Sequence, residues 1–249
     1  MRHIGRLRAI GAIGVLALVT VGVQGTDAHA TTRGHAPTVY VRDTFTRSVT
    51  GGWGSADVGG AWAIEQPTTG TWSVNGTVGK VTGVKGQYFT TRIAPLATTS
   101  AELTMRFSST APVSAQPKWL FILRSVDLLH EYKARVRVAS NGAVILGLYK
   151  VVGNTFPQIG TEVTIPGVTW SPNTALRIRA DAVGTSPTAF RVRVWRTANA
   201  EPTTWNLMAS DSEPTMQTAG SWGVVTIASA GPAGAKTTFT FDNLLITSV

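Results

Sequence analysis

The stretch EYKARVRVASNGAVILGLYKV, residues 131–151, decides the fold class of this chain. Polar and apolar side chains alternate along its first half, which is the period of a half-buried β-strand. The dipeptide Asn141-Gly142 separates this run from a second apolar run, and an Asn-Gly pair in that position predicts a β-hairpin. The stretch therefore predicts two antiparallel strands with one face buried and the other in water.

The same two-residue period continues along most of the chain, and helix-period signals are missing. Strands are predicted at 101–107, 118–126, 131–139, 142–151, 176–182, 189–196, 222–229 and 236–247. Asn75-Gly76 predicts a second hairpin, while clusters of Pro and Gly at 165–167, 171–173 and 231–234 predict longer connections. About twelve short strands at this spacing favour an antiparallel sandwich of two sheets.

The N-terminal segment has the order of a secretory signal peptide. Arginines precede an apolar run at 10–23, and Ala28-His29-Ala30 is typical of a cleavage site. The apolar run is shorter than the ~20 residues that a membrane-spanning helix requires, and no later segment is apolar enough to cross a membrane. We therefore expect a secreted, extracellular product without a membrane span. The expected organisation is a signal peptide at 1–30, a flexible tail at 31–38 and one domain at 39–249.

Charge and cysteine content narrow the set of partners. The chain carries a formal net charge of +9. It has no Cys, and this absence excludes thiol chemistry and Cys-ligated zinc. Export without Cys is more typical of bacterial proteins than of animal secretory proteins, whose domains often carry disulfides. A basic exported protein attracts polyanions, which outside a cell include acidic polysaccharides, anionic cell-wall polymers and free nucleic acid.

Several segments of the sequence resemble one known family. They are DTFTR…GGWGSADVGGAW with WSVNGTVGKV at 43–81, FILRSVDLLHEYKARVRVASNGAVILGLYKVVG at 121–153, and PTAFRVRVWRTANAEPTTWNLMASD…FDNLLI at 187–246. Together they are similar to the concanavalin A-like lectin/glucanase (laminin-G-like) jelly-roll modules of secreted actinobacterial proteins. The resemblance implies an all-β fold, a two-sheet antiparallel jelly-roll β-sandwich of the concanavalin A-like type. It leaves the function open, because this fold carries lectins, hydrolases, lyases and spacers.

The carboxylates do not follow the pattern of a glycosidase. Such enzymes use two carboxylates about 5–10 Å apart, which positions two or four apart on one strand would supply. The acids beyond residue 30 stand singly, and the closest pair, Asp211 and Glu213, lies in a predicted loop. We therefore expect a protein that is not an enzyme. The specific catalytic alternative is a polysaccharide lyase, with His130 and Tyr132 as candidate bases and Arg124 facing a substrate carboxylate.

Three predicted strands each place cations on one face, because side chains at i, i+2 and i+4 point to the same side of a strand. These residues are Lys133, Arg135 and Arg137, then Arg177 and Arg179, and finally Arg191 and Arg193 with Trp195. If the strands are neighbours, they form a surface that binds the carboxylate or sulfate groups of a glycan, with Trp195 stacking on a sugar. Alternatively, they are only the wet face of an antiparallel sheet. Nucleic acid fits less well, since only Trp195 offers an aromatic platform beside the cations.

The resemblance also implies a candidate calcium site. Jelly-roll modules bring the termini together, so the first strand is expected to pair with the last, which would place Asp43 near Asp242, with Asp57 in the adjacent Gly-rich loop. Carboxylate oxygens suit Ca²⁺, which takes roughly six to eight oxygen ligands. The alternative is that these aspartates accept hydrogen bonds from backbone N–H groups in turns.

The sequence thus predicts a secreted, non-catalytic, lectin-like protein that recognises a cell-wall or environmental polysaccharide, and the arginines favour an acidic one. Two alternatives stay open. One is a lyase or glycoside hydrolase with an atypical site, and the other is a structural or interaction β-sandwich without a sugar site. Trp53, Trp170 and Trp205 stand in predicted loops, where each either forms an exposed sugar platform or covers the end of the sandwich.

Overall fold

The computed structural model describes residues 36–66, 70–230 and 234–249, so the predicted signal peptide and most of the predicted tail lie outside the described residues. The strands are β1 (Val39–Asp43), β2 (Ser48–Thr50), β3 (Trp62–Gln66), β4 (Thr71–Asn75), β5 (Gly79–Val84), β6 (Phe89–Thr98), β7 (Ala101–Ser109), β8 (Pro117–Asp127), β9 (His130–Val138), β10 (Ala143–Val152), β11 (Gln158–Thr169), β12 (Leu176–Val183), β13 (Thr188–Arg196), β14 (Leu207–Asp211), β15 (Gly220–Ala228) and β16 (Lys236–Thr247). Short 3-10 turns lie at Val113–Ala115 and Pro214–Met216. No helix in the described ranges is long and apolar enough to cross a membrane.

The strands form two antiparallel sheets. The large sheet has nine strands in the order β14-β13-β12-β7-β16-β5-β4-β2, with β1 also paired to β16. The small sheet has seven strands in the order β11-β10-β9-β8-β15-β6-β3. The predicted all-β sandwich is therefore confirmed, and so is the predicted pairing of the first strand with the last.

Aromatic side chains from both sheets interlock between the layers. Phe107 of the large sheet lies 5.1 Å, between ring centres, from both Trp119 and Phe121 of the small sheet. Trp119 also packs edge-on against Phe239 of the large sheet at 5.7 Å. These distances lie in the range that aromatic pairs prefer, and all of the rings are buried. The inward residues of the alternating strands thus form one core between the sheets.

The eight strands predicted by residue range are all present. Each of the eight predicted strands is observed, with bounds that differ by at most two residues. Both Asn-Gly turns are confirmed, and Gly76 and Gly142 have φ values of 88° and 84° there. A positive φ is unfavourable for residues with a Cβ atom, so glycine is needed at these positions.

The sequence pattern misses two edge strands. β11 runs through the predicted connection at 165–167, and β14 covers part of a predicted loop, so both predictions are wrong. An edge strand tolerates proline because the missing N–H faces away from the ladder. Along β11, Gly160 and Gly167 have positive φ and the register with β10 shifts, which breaks the two-residue period.

A buried carboxylate holds the segment between β1 and β3. Asp43 is fully buried and accepts hydrogen bonds from Arg47 at 2.7 and 2.8 Å and from Trp62 Nε1 at 2.7 Å. Arg47 also donates to the carbonyl oxygen of Trp53 at 2.8 Å. Asp43 and Arg47 therefore tie the Gly-rich segment to β1 and β3.

We expect Asp43→Ala to lower the free energy of unfolding by about 3 kcal/mol, because Arg47 and the Trp62 N–H lose their buried acceptor. Urea unfolding followed by tryptophan fluorescence measures the loss. Asp242→Ala is the matched control: its carboxylate contacts the partly exposed Arg106 at 3.3 Å and the exposed Asn243, so less than about 1 kcal/mol should be lost. Equal losses in the two variants would contradict the role assigned to Asp43.

Candidate functional site

The cations predicted to share one surface lie on two different sheets. β9, which carries Lys133, Arg135 and Arg137, belongs to the small sheet, whereas β12 and β13 are neighbours in the large sheet. The prediction of one continuous basic surface is therefore wrong. Alternation within a strand determines which side chains share a face, but it does not determine which strands are neighbours.

On the large sheet, carboxylates of the fold neutralise three of the four predicted cations, and Arg177 is the exception among the described residues. Glu201 contacts both Arg179 and Arg193 at 2.5 Å, and Arg179 also contacts Glu102. Arg179 and Arg193 are directly opposite in register, so the carboxylate offsets the repulsion of like charges on adjacent strands. In the described part of the chain, Arg177 alone of these predicted cations has no hydrogen-bond or ion-pair partner.

Arg191 and Trp195 do not form the predicted stacking platform. Arg191 contacts the buried Asp181 at 2.6 Å. Trp195 is buried, so its predicted role as an exposed platform is wrong. The guanidinium groups of Arg191 and Arg193 instead lie 4.8 and 4.3 Å from the ring centre of Trp205. Arg179, Arg191 and Arg193 are therefore used within the fold.

Two of the three loop tryptophans, Trp53 and Trp170, are part of the core. Trp53 packs against Trp62 and Trp72, with ring centres 5.0 and 5.3 Å apart, and Trp170 packs against Trp119 at 6.0 Å. Trp53 and Trp170 are fully buried, so the hypothesis that they form exposed platforms is wrong. A large apolar ring gains most by burial, even when it lies outside a strand.

Each of the three predicted calcium ligands accepts hydrogen bonds from protein groups. Asp57 accepts hydrogen bonds from the backbone N–H and the hydroxyl of Thr44 at 2.8 and 2.6 Å. Asp242 accepts from Asn243 and Arg106, and Asp43 is held by Arg47 and Trp62 as described above. Within the described ranges, no group of three or more His, Cys, Asp or Glu side chains could hold a metal ion. The strand pairing is as predicted, but the carboxylates stabilise turns and loops instead of meeting at one ion.

The alternative catalytic set is not exposed to a substrate. Arg124 and Tyr132 are buried, and burial raises the pKa of the Tyr132 hydroxyl, which donates to Asp211 at 2.8 Å. Arg124 donates to several oxygens, among them the Thr188 hydroxyl at 2.6 Å. His130 lies at a hairpin end, 2.9 Å from Asp127. These contacts are structural, and the proposed set does not form an accessible cleft.

A groove on the outer face of the small sheet is the best candidate site. It has a volume of about 340 Å³. Its floor is Leu120 of β8 with Val225 and Ile227 of β15, which with Ile122 form a buried apolar cluster separate from the main core. Tyr88 and Phe156, 60% and 40% exposed, lie at its rim. An apolar floor with an aromatic rim suits a ligand that has both apolar and polar faces.

The wall of the groove is preorganised by stacked side chains. Phe156 stacks on Tyr149 with ring centres 4.8 Å apart and planes 7° from parallel. The Arg135 guanidinium lies 4.0 Å from the Tyr149 ring centre and donates to Glu162 at 2.7 Å. Glu162 also contacts Arg137 at 2.8 Å. The position of Arg135 is therefore determined before any ligand binds.

Gly147 leaves the space in which this wall assembles. It lies on β10 directly opposite Arg135 on β9. A Cβ atom at Gly147 would lie 2.8 Å from the Tyr149 ring and 2.9 Å from Glu162 Cγ. Both distances are shorter than real Cβ contacts, so a side chain here would push Tyr149 or Glu162 away from Arg135.

The sequence predictions include Lys133 and Arg135 of the groove but miss its floor. The missed signal is the unbroken apolar run WLFIL at 119–123, together with Val225 and Ile227. A strand with one face in water should alternate polar and apolar residues. Apolar residues at consecutive positions, which point to both faces of the sheet, therefore indicate that the outer face is covered or binds a ligand.

Comparison with known proteins identifies the fold type. No protein-family model and no curated protein sequence matches the chain. The carbohydrate-binding module CBM66 from Bacillus subtilis matches with a TM-score of 0.52 and 15% identity, over 75% of this chain and 95% of that chain. The Emp47p carbohydrate recognition domain matches with a TM-score of 0.54 and 11% identity, over 85% of this chain and 97% of that chain.

A larger protein contains a similar domain. The GH43 protein BlXynB from Bacillus licheniformis matches with a TM-score of 0.52 and 11% identity, over 84% of this chain but only 39% of that chain. These likenesses confirm the predicted concanavalin A-like jelly roll. At such identities they show the fold alone.

The wall of the groove should weaken in acid. Hydrogen bonds from Arg137, and then from Arg135, lower the pKa of the Glu162 carboxyl from 4.5 to about 2. Its contribution to stability is therefore complete above about pH 4.5 and is lost as the pH falls towards about 2. We expect Glu162→Gln to flatten the decrease of the urea midpoint across this window. Parallel pH profiles for the variant and the wild type would contradict the assignment.

Proposed function

We propose that the protein is a secreted, non-catalytic carbohydrate-binding protein whose ligand, a cell-wall or environmental polysaccharide, lies in the groove of the small sheet. The observation that carries the proposal is the groove itself: an apolar floor and an aromatic rim on an outer face that should otherwise be polar. A pyranose has apolar C–H faces and polar edges, so it matches a floor of aliphatic groups bordered by rings and cations.

The fold supports the same proposal. The carbohydrate-binding module and the carbohydrate recognition domain described above match this chain over nearly their whole length. Both are named for sugar binding. Function does not follow from fold alone, but a sugar is the ligand class for which the groove chemistry and these neighbours agree.

The charges around the groove favour binding over hydrolysis. Hydrolysis of a glycosidic bond requires two carboxylates about 5–10 Å apart that can reach the bond. No carboxylate is among the described residues that line the groove. The nearby Glu131 and Glu162 are each held by two cations, Arg92 with Lys133 and Arg135 with Arg137.

We expect Phe156→Ala to weaken binding to a recognised polysaccharide about fivefold, because an aromatic contact of about 1 kcal/mol is removed from the rim. Glycan arrays and pull-down on insoluble polysaccharides identify the polymer, and affinity electrophoresis measures the change. Met208→Ala is the control, since Met208 is 65% exposed on β14 of the large sheet. Absence of retention on every polymer would refute the carbohydrate-binding proposal and favour a β-sandwich without a sugar site.

Secretion is tested separately. The full-length chain, expressed in a bacterium that exports proteins to the medium, should appear there with Thr31 as its first residue. Intact-mass measurement and N-terminal sequencing distinguish this product from the uncleaved chain. A cell-bound protein that begins at Met1 would contradict the proposed export.

A further inference from the structure

We propose that the groove binds the anionic substituent of an acidic sugar, a carboxylate or a sulfate ester, and that Lys118 is the residue that contacts it. This inference rests on the proposed carbohydrate-binding function and names the ligand class of the same groove. The assignment of an anionic ligand depends on the charges of the groove, whereas the assignment of a carbohydrate ligand depends on its apolar floor and aromatic rim.

Lys118 is the groove cation that the fold leaves unpaired. Lys118, Lys133 and Arg135 line the groove. Lys133 contacts Glu131, and Arg135 contacts Glu162. In the described part of the chain, Lys118 has no hydrogen-bond or ion-pair partner, although it is half-buried on β8.

More cations than anions lie near Lys118. Lys118 lies opposite Arg137 of β9 and Ile227 of β15. Burial, followed by the charges of Arg135 and Arg137, holds the pKa of Lys118 below its ordinary value. Glu162 acts in the opposite sense, but it already accepts hydrogen bonds from both arginines. A bound anion would therefore compensate a charge with which no carboxylate of the described residues forms an ion pair.

A buried or half-buried cation without a partner is costly, and such a charge in a groove is a candidate for contact with a ligand. The floor beside Lys118 is aliphatic, formed by Leu120 and Ile227, so it would not by itself attract a free inorganic anion. A charged group attached to an apolar ring face satisfies both parts of the groove. That combination describes a uronic acid or a sulfated sugar.

The test compares charged polymers with their uncharged counterparts. Affinity electrophoresis would use polygalacturonate against its carboxyl-reduced form and dextran sulfate against dextran, each at low and high salt. The proteins are the wild type, Lys118→Met, and Lys236→Met as a matched control. Lys236 is exposed at the start of β16 in the large sheet.

We expect the wild type to bind at least one charged polymer in a salt-sensitive manner, and at least about tenfold more tightly than the uncharged counterpart. Lys118→Met should lose about tenfold in affinity for that polymer, whereas Lys236→Met should stay within about twofold. The comparison of the two charged polymers distinguishes a carboxylate from a sulfate ligand. Because Lys118→Met removes an unpaired charge, its urea midpoint should not fall below that of the wild type, so lost binding would not reflect unfolding.

The outcomes separate this inference from the proposed function. Equal binding of charged and uncharged polymers, or unchanged binding by Lys118→Met, overturns the inference and leaves the carbohydrate-binding function in place. Binding to none of these polymers, nor to the wider polysaccharide panel, overturns both.

Discussion

The structure depends on the burial of alternate side chains between two antiparallel sheets. Each strand contributes every second residue to the interior, and rings such as Phe107 and Trp119 meet there from opposite layers. Each fully buried large apolar side chain contributes roughly 1.5–3 kcal/mol, so the summed burial fixes the register of every strand. A shift by one residue would place arginines inside and valines in water. This constraint determines which residues are available on the outer faces.

The outer faces are rich in cations, and carboxylates of the fold neutralise most of those that the sequence pattern singles out. Glu162 bridges Arg135 and Arg137 on the small sheet, and Glu201 bridges Arg179 and Arg193 on the large sheet. A glutamate between two arginines offsets the repulsion that rows of like charges would otherwise cause on adjacent strands. The formal net charge of +9 is therefore a poor guide to a binding surface. The informative cation is the one without such a partner, and in the groove that residue is Lys118.

The groove is the place where the sandwich departs from its own inside–outside pattern. Leu120, Ile122, Val225 and Ile227 face outward and still form a buried cluster. Natural sequences depart from the pattern of apolar residues inside and polar residues outside mainly where function requires it. This apolar patch on the solvent-facing side of the small sheet is therefore the strongest functional signal of the molecule. Gly147 and Glu162 have a supporting role, because they position the Tyr149–Arg135 stack that forms the wall. The buried contacts of Asp43, Arg124 and Tyr132 belong instead to the fold.

The sequence by itself determined the class of fold, eight of the strands, the Asn-Gly turns and the faces on which Lys133 and Arg193 lie. Those features depend on neighbouring residues only, since strand period and turn chemistry are local. It did not determine that β9 and β12 belong to different sheets, that Trp170 is buried, or that Lys118 is left unpaired. Each of these depends on contacts between distant positions: Arg179, for example, pairs with Glu102, 77 residues earlier in the chain. Only the tertiary structure brings such partners together, because burial of the whole core selects the strand order.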